Sequence, residues 1–560
     1  MSGQTLRSTF AATDALPLAA VLFVAAGLRL HGLGYGLPAL FNADESYLVN
    51  VAVSFGRGSL NPGIFKYPTL WLYLLFGAYG VHFLLWSRLG LAHTVREFGH
   101  KFIWDHSSFY FIARSLSAAA SLAALLVVDQ AARAVGERRV GLWAASLLAG
   151  SVWMVEAAHA AKADSLMFLL SAVAWLFALR YLRSGRPGEL LACSAAAGLA
   201  ASTQYTGAPA ALLVPLAWAL RPRAGKPPAW GLLACSLALL PAAFFLATPY
   251  ALIDRAAFFR DLLDLGRINT AGEPYRARAL VAAAGFAGSV WVGGPLFVAG
   301  AAALLRKDRP LAALLLSVPL MNVVPMWLSD KGGNMRYLFA SMPAMALVAG
   351  YGVESLAGLL RVPMASGLAR AGILALLLAP GVFESALWTR ALLLPDTRHD
   401  ASRWIEANIP PGTKVLAGDE SNSPPMRLSK SSGEALLAST KAAGHPRWRY
   451  YELLAESHPG GGFDIVRLVR DPVEISTGFW HRRWSESGRA VLDVSEGLSA
   501  ARRNGVQVVV LASETFGFAT PGIARFVEET MAQGRLLADF SPVPGRVKGP
   551  HIRVYLVDGV

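Results

Sequence analysis

Asn42-Ala43-Asp44-Glu45 sets two adjacent carboxylates soon after an apolar run, Ala15 to Leu33, that is long enough to span a bilayer. Charge at the membrane surface is costly unless something uses it. Further on, Phe65-Lys66-Tyr67-Pro68-Thr69-Leu70 adds a cation at what reads as the same interface. A carboxylate for proton chemistry and a lysine for an anion therefore stand where the lipid headgroups begin. The plainer account is a capped amphipathic helix and a snorkelling lysine.

Composition sets the class. The chain has 560 residues, 54% of them hydrophobic and only 16% charged, and a mean hydropathy of +0.43. A soluble domain carries roughly a quarter charged residues, so this is a polytopic membrane protein. Apolar runs recur as far as Leu387, and the rest of the chain reads as a water-soluble domain. This divides the chain into a transmembrane domain over 1–394 and an extracytoplasmic α/β domain over 395–560. The first apolar run carries no cleavage pattern and is read as a retained helix. Cys193 and Cys235 both fall in membrane runs, so disulfide staples are not expected. The net charge of +14 lies largely in short membrane loops and does not indicate nucleic acid.

Basic loops fix the orientation. Arg133, Arg138 and Arg139 cluster in one loop, then Arg180, Arg183 and Arg186, then Arg221, Arg223 and Lys226. Arg306, Lys307 and Arg309 follow, and then Arg361 and Arg370. Loops rich in Arg and Lys face the cytoplasm. The spacing predicts spans near 15–33, 109–132, 140–158, 164–182, 189–204, 206–220, 229–249, 279–304, 309–328, 337–357 and 367–388. That makes about eleven spans. With a cytoplasmic N-terminus, the C-terminal domain lies outside. Tyr67 to Trp86 is apolar enough to span but breaks this alternation, so it is read as embedded without fully crossing, or as lying along the interface. Asp44, Glu45, Lys66, Asp164, Gln204, Tyr205, Asp254, Lys331 and Arg336 then all fall on the outer face.

Asn42 to Glu45 has capping-box spacing, with Asn as N-cap and Glu at the third helical position. That gives Glu45 a structural explanation and leaves Asp44 without one. Neighbouring helical residues point about 100° apart, so both carboxylates cannot face one reacting atom. Asp164, followed by Ser165, either caps the next helix or belongs to the site. His159 is expected to satisfy a local backbone group. A divalent metal held by carboxylates stays open, but no spacing of metal ligands calls for one. Gln204-Tyr205 opens a tight hairpin and is a candidate for substrate binding. In Lys331-Gly332-Gly333-Asn334-Met335-Arg336-Tyr337, a flexible glycine pair allows close backbone approach, and two cations suit a phosphate.

The order of these features resembles the membrane glycosyltransferases of the C-type superfamily, near the protein O-mannosyltransferases and the lipid A aminoarabinose transferases. The resemblance runs through Asp44-Glu45, Lys66-Tyr67-Pro68-Thr69-Leu70, Ala163-Asp164-Ser165, Gly198-Leu199-Ala200 with Thr203-Gln204-Tyr205, Thr248-Pro249-Tyr250, and Arg336-Tyr337-Leu338 with Pro343. Trp404 to Gly412 is similar to the opening of the outer domain in many bacterial members. The chain departs from the pattern in Gln204, where many relatives carry Lys, and in the single proline after Lys66-Tyr67.

The resemblance implies inverting sugar transfer from a polyprenyl-phosphate donor to a protein, lipid or glycan at the outer face of the inner (plasma) membrane. Asp44 would be the base, with Glu45 and Asp164 as further catalytic carboxylates. Lys66, Lys331, Arg336 and Tyr337 would hold the donor phosphate. A lipid-linked sugar flippase and a non-catalytic scaffold displaying the outer domain are the rival readings. The flippase predicts polar groups at the bilayer midplane, and the scaffold leaves Asp44 without a purpose. In the outer domain, strands are expected at Lys414–Ala417, Asp464–Val469, Val506–Leu511 and Ile552–Val557, alternating with helices in a partly parallel sheet. No nucleotide-binding loop is present there.

Overall fold

A computed structural model describes residues 12–222, 227–270, 281, 283, 285–286, 290–328, 335–364, 366–418, 420–445, 447–469, 490–513 and 521–557. The chain forms two compact units. The first comprises Met1–Leu33, Leu48–Ala78 and Tyr110–Thr389; the second comprises Gly34–Tyr47, Tyr79–Phe109 and Arg390–Val560.

The first unit is helical. Its core is apolar and built around Trp143, Trp175, Phe168 and Phe339. Helices approach closely where glycine removes the side chain. A Cβ on Gly300 would lie 1.7 Å from the Val348 carbonyl oxygen, and one on Gly352 would lie 2.0 Å from that of Leu296. The Val290–Lys307 and Met342–Leu359 helices therefore touch backbone to backbone, the packing that small residues permit in membranes.

Arg29 is fully buried and explains a break in the bundle. The Arg138–Gly150 and Val152–His159 helices meet at 60°, which frees the last carbonyls of the first helix. Arg29 donates to Ala149 O (2.8 Å) and Leu148 O (3.0 Å), and Ser385 Oγ donates to Gly150 O (2.9 Å). A cation at a helix C-terminus also suits the helix dipole.

The second unit holds a six-stranded sheet in the order β3-β2-β1-β4-β6-β5. The strands are β1 Lys414–Ala417, β2 Asp464–Val469, β3 Val491–Asp493, β4 Val508–Ala512, β5 Arg535–Phe540 and β6 Ile552–Leu556. β1 pairs in parallel with β2 and β4, and β2 with β3; β6 runs antiparallel to β4 and β5. The expected mixed α/β sheet is present. β3 and β5 were not expected. β3 is three residues long, and β5 is largely solvent-facing, so neither gives a clear period-2 signal.

Two N-terminal segments join this unit. Arg398 lies 3.5 Å over the Phe41 ring, and His106 Nε2 donates to Pro38 O (2.7 Å). In the Val95–Trp104 helix, Arg96 pairs with Glu456, and Trp104 Nε1 donates to Ser457 Oγ (2.8 Å).

The chain is a multi-pass helical membrane protein. The count of about eleven spans is corrected downward: six described helices are long and apolar enough to cross, or seven if the bent pair is one span. Leu16–Leu30, Tyr205–Leu220 and Arg309–Val323 are apolar but shorter. Pro187–Thr203 has 17 residues and is rich in small ones, and part of the expected 279–304 span lies outside the described residues.

Leu70–Arg88 is among the six, although the sequence reading kept it from crossing. Phe41 and Arg96 both contact the C-terminal domain, so a membrane is crossed an even number of times between them. Ala43–Ser54, at 12 residues, is too short to supply a second crossing. Connectivity therefore argues for an embedded helix, where length and composition alone suggest a span.

A cysteine at His93 should then label with an impermeant thiol reagent from the same side as one at Ser541, once Cys193 and Cys235 are replaced. Labelling of the two from opposite sides of spheroplast membranes would show that Leu70–Arg88 crosses.

Candidate functional site

The segment from Asn61 to Thr69 carries Lys66 and Tyr67 and has no regular structure, so its backbone polar groups need partners. Backbone and side-chain hydrogen bonds tie the segment down at both ends and in the middle. Asn61 Nδ2 donates to Asp254 Oδ2 (3.1 Å). The Phe65 N–H donates to Asp261 Oδ2 (2.7 Å), and Tyr205 OH donates to Phe65 O (2.9 Å). Thr69 Oγ1 donates to Ala247 O (2.8 Å), and Thr69 N approaches Thr248 Oγ1 (3.4 Å). Ser202 and Thr248 hydroxyls share a further bond of 2.7 Å. Phe65 is fully buried and meets Phe258 edge-on at 5.6 Å.

Arg336 faces this loop from the 3-10 turn Met335–Leu338. Its Nη2 donates to Tyr67 OH (3.3 Å), and its Nε lies 3.8 Å from Asp164 Oδ1. The turn is anchored from two helices. Asn322 Nδ2 donates to Tyr337 O (3.1 Å) and Ser341 Oγ (2.9 Å), and Trp175 Nε1 donates to Ala340 O (2.9 Å). Asp164 opens the helix that carries Trp175, and the N-cap position there is Ala163, with no side-chain cap. The capping role weighed for Asp164 is thus not the one it takes; its carboxylate, 5% exposed, faces a guanidinium.

Gln204 is also buried, and among the described residues its Oε1 has no hydrogen-bond partner, as is true of Ser165 Oγ and Thr206 Oγ1. Tyr205 braces the backbone beside Lys66, and Lys66 itself is half-buried. His159 lies between the Val155 and His31 carbonyls (2.8 and 2.9 Å), the backbone role expected of it. Among the described residues no cluster of three metal-ligating side chains occurs.

Asp44 and Glu45 belong to the other compact unit. Asn42 caps their helix, its Oδ1 accepting the Asp44 N–H at 3.1 Å; Glu45 is fully buried and Asp44 half-buried. Lys331 lies outside the described residues. The sequence reading missed Tyr67, Asp261 and Asn322 as parts of the site. Asn322 did leave a signal, as a polar residue inside a membrane-length apolar run.

Residues 107–245, about a quarter of the chain, match the family model described as dolichyl-phosphate-mannose-protein mannosyltransferase. No curated protein matches in sequence. ArnT from Cupriavidus metallidurans bound to undecaprenyl phosphate superposes with a TM-score of 0.55 at 14% identity, over 97% of each chain. Its apo state gives 0.53 at the same identity and coverage. The oligosaccharyltransferase of Archaeoglobus fulgidus gives 0.50 at 13% identity, over 93% of this chain and 73% of that one.

Asp261→Ala should leave the Phe65 N–H without an acceptor in a buried place. A lost buried hydrogen bond costs about 1–3 kcal/mol, so exchange protection at the Phe65 amide should fall roughly 5- to 150-fold. Asp261→Asn, which keeps an acceptor oxygen, should fall less. Unchanged protection in Asp261→Ala would remove this residue from the loop's support. The ordered motifs thus agree with the comparisons: the chain has an ArnT-like fold, and its residues 107–245 match the mannosyltransferase family model.

Proposed function

We propose that the chain transfers a sugar from a polyprenyl-phosphate donor to an acceptor hydroxyl or amine on a protein, lipid or glycan, at the outer face of the inner membrane. The observation that carries this reading is the Arg336 guanidinium set between Tyr67 and Asp164, beside a braced loop that presents Lys66. A planar fork and an ammonium are the cations best suited to phosphate oxygens, and a half-buried setting strengthens both.

In the proposed reaction the acceptor oxygen or nitrogen attacks the anomeric carbon opposite the phosphate. The carbon–oxygen bond to phosphate breaks, and polyprenyl phosphate leaves with inversion at the sugar. Lys66, Arg336 and, by its sequence position, Lys331 stabilise the charge that develops on the leaving phosphate, the kind of preorganised electrostatic help that speeds such steps most. Tyr337 lines the same turn. Asp164 holds the Arg336 fork in position, and Gln204 and Tyr205 contribute to the substrate side. Asp44 takes the acceptor proton, and Glu45 supports the helix that bears it. The C-terminal domain, extracytoplasmic in this reading, recognises the acceptor.

Asp44→Asn should lower kcat by about 10²–10⁴ with the protein still inserted, because an amide cannot take the proton. Glu45→Gln should retain partial activity, since glutamine still completes a capping box. Equal losses would mean that the two carboxylates act as one unit. Arg336→Lys should raise KM for the polyprenyl-phosphate sugar in defined liposomes, whatever the acceptor. Unchanged donor dependence in Arg336→Lys and Lys66→Gln together would place the phosphate elsewhere.

A further inference from the structure

The second unit contains a cavity of about 420 Å³, within the roughly 300–1,000 Å³ typical of small-molecule sites. We propose that it binds a saccharide bearing an anionic group, and that this is the distal part of the acceptor; the second clause rests on the transfer reading above.

Three arginines line the cavity from separate pieces of chain: Arg427, Arg447 at the start of the Trp448–Glu456 helix, and Arg467 on β2. Arg467 is 9% exposed, and its Nη1 donates to Gly418 O (3.0 Å), which fixes the side chain against the sheet. Guanidinium groups recognise carboxylate and phosphate through paired hydrogen bonds.

Aromatic faces stand beside these cations. Trp104 lies under Arg427 at 5.9 Å, and Tyr450 and Tyr451 lie by Arg447 at 5.4 and 5.8 Å. A pyranose ring has an apolar face of C–H bonds that packs on such surfaces, and its hydroxyls need acceptors. Glu406 and Glu420, both exposed at the cavity, supply them. Two carboxylates among three guanidiniums disfavour a polyanion such as nucleic acid. They suit a polyol with one or two anionic groups.

Position links the cavity to the chemistry. Pro38 and Ala39 form part of its wall, and His106 holds the Pro38 carbonyl. The chain from Ala39 to Asp44 spans at most about 18 Å even when fully extended. A saccharide seated in the cavity is therefore within a few sugar units of the proposed base.

The test is direct binding to the full chain in phosphatidylcholine nanodiscs without donor, read by calorimetry. The probes are trehalose 6-phosphate, digalacturonate, uncharged trehalose and a tetraglutamate peptide. At least one anionic saccharide should bind tenfold or more tightly than trehalose, and the stronger of the two tells phosphate from carboxylate. Arg427→Gln and Arg447→Gln should each remove most of that preference without weakening trehalose. Tyr450→Ala should weaken all the sugars. Thermal melts of each variant confirm folding, since these side chains sit at the cavity edge.

Equal affinity for charged and neutral sugars, tetraglutamate binding as tightly as either, or folded arginine variants that bind like wild type would overturn the site. Release of free sugar from the donor is measured separately and should be unchanged in Arg447→Gln. A chain that binds the saccharide but never turns over donor would overturn the transfer reading and leave the cavity assignment standing.

Discussion

A backbone polar group surrounded by hydrocarbon must be paired inside the protein, because no water is at hand to pair it. That constraint accounts for several buried polar residues in the helical unit. Where the helix stops at Gly150, Arg29 and Ser385 take up the released carbonyls. Where the chain runs without regular structure from Asn61 to Thr69, Asp261, Tyr205 and Thr248 pair its backbone groups. A buried charge at such a place is therefore not evidence of chemistry by itself. Arg29 is spent on structure.

Against that background the Asp164, Arg336 and Tyr67 group is different. None of the three side chains caps a helix, and the ion pair is 3.8 Å apart rather than in tight contact. The guanidinium meets a phenol and a carboxylate at once. The neighbouring buried atoms of Ser165 and Gln204 lack partners among the described residues, and such groups call for an explanation. In the proposed reaction, a polar ligand supplies one.

The sequence made some of this legible and hid the rest for physical reasons. Asp164 and Arg336 stood out because charge is expensive at the end of an apolar run, but nothing in the spacing paired two residues so distant in the chain. Asp261 was invisible because a carboxylate in the amphipathic Arg255–Thr270 helix reads as a solvated face; the structure buries it completely. Tyr67 looked like part of a motif and not like a hydrogen-bond partner. The parallel core of the sheet was readable from its continuous apolar runs, β4 above all, whereas β5 has no fully buried side chain. Hydropathy overstated the spans because it counts apolar residues and cannot see helix length or breaks, as where Tyr205–Leu220 opens with a 3-10 helix.

The C-terminal domain does more than add a sheet. Asp396 grips Arg398 through both carboxylate oxygens, at 2.8 and 2.7 Å, and Arg398 also donates to Ser421 O (2.7 Å). Held in this way, the guanidinium lies over the Phe41 ring, which meets His399 edge-on at 5.2 Å. Phe41 directly precedes Asn42, the residue that caps the Asp44 helix. The start of that helix is thus fixed by a side chain of the C-terminal domain and not by the short helix's own propensity, which at 12 residues is marginal in isolation. A proton acceptor has to be held to within a hydrogen-bond length of its target. The Asp396–Arg398–Phe41 stack gives the C-terminal domain a direct part in positioning the proposed base.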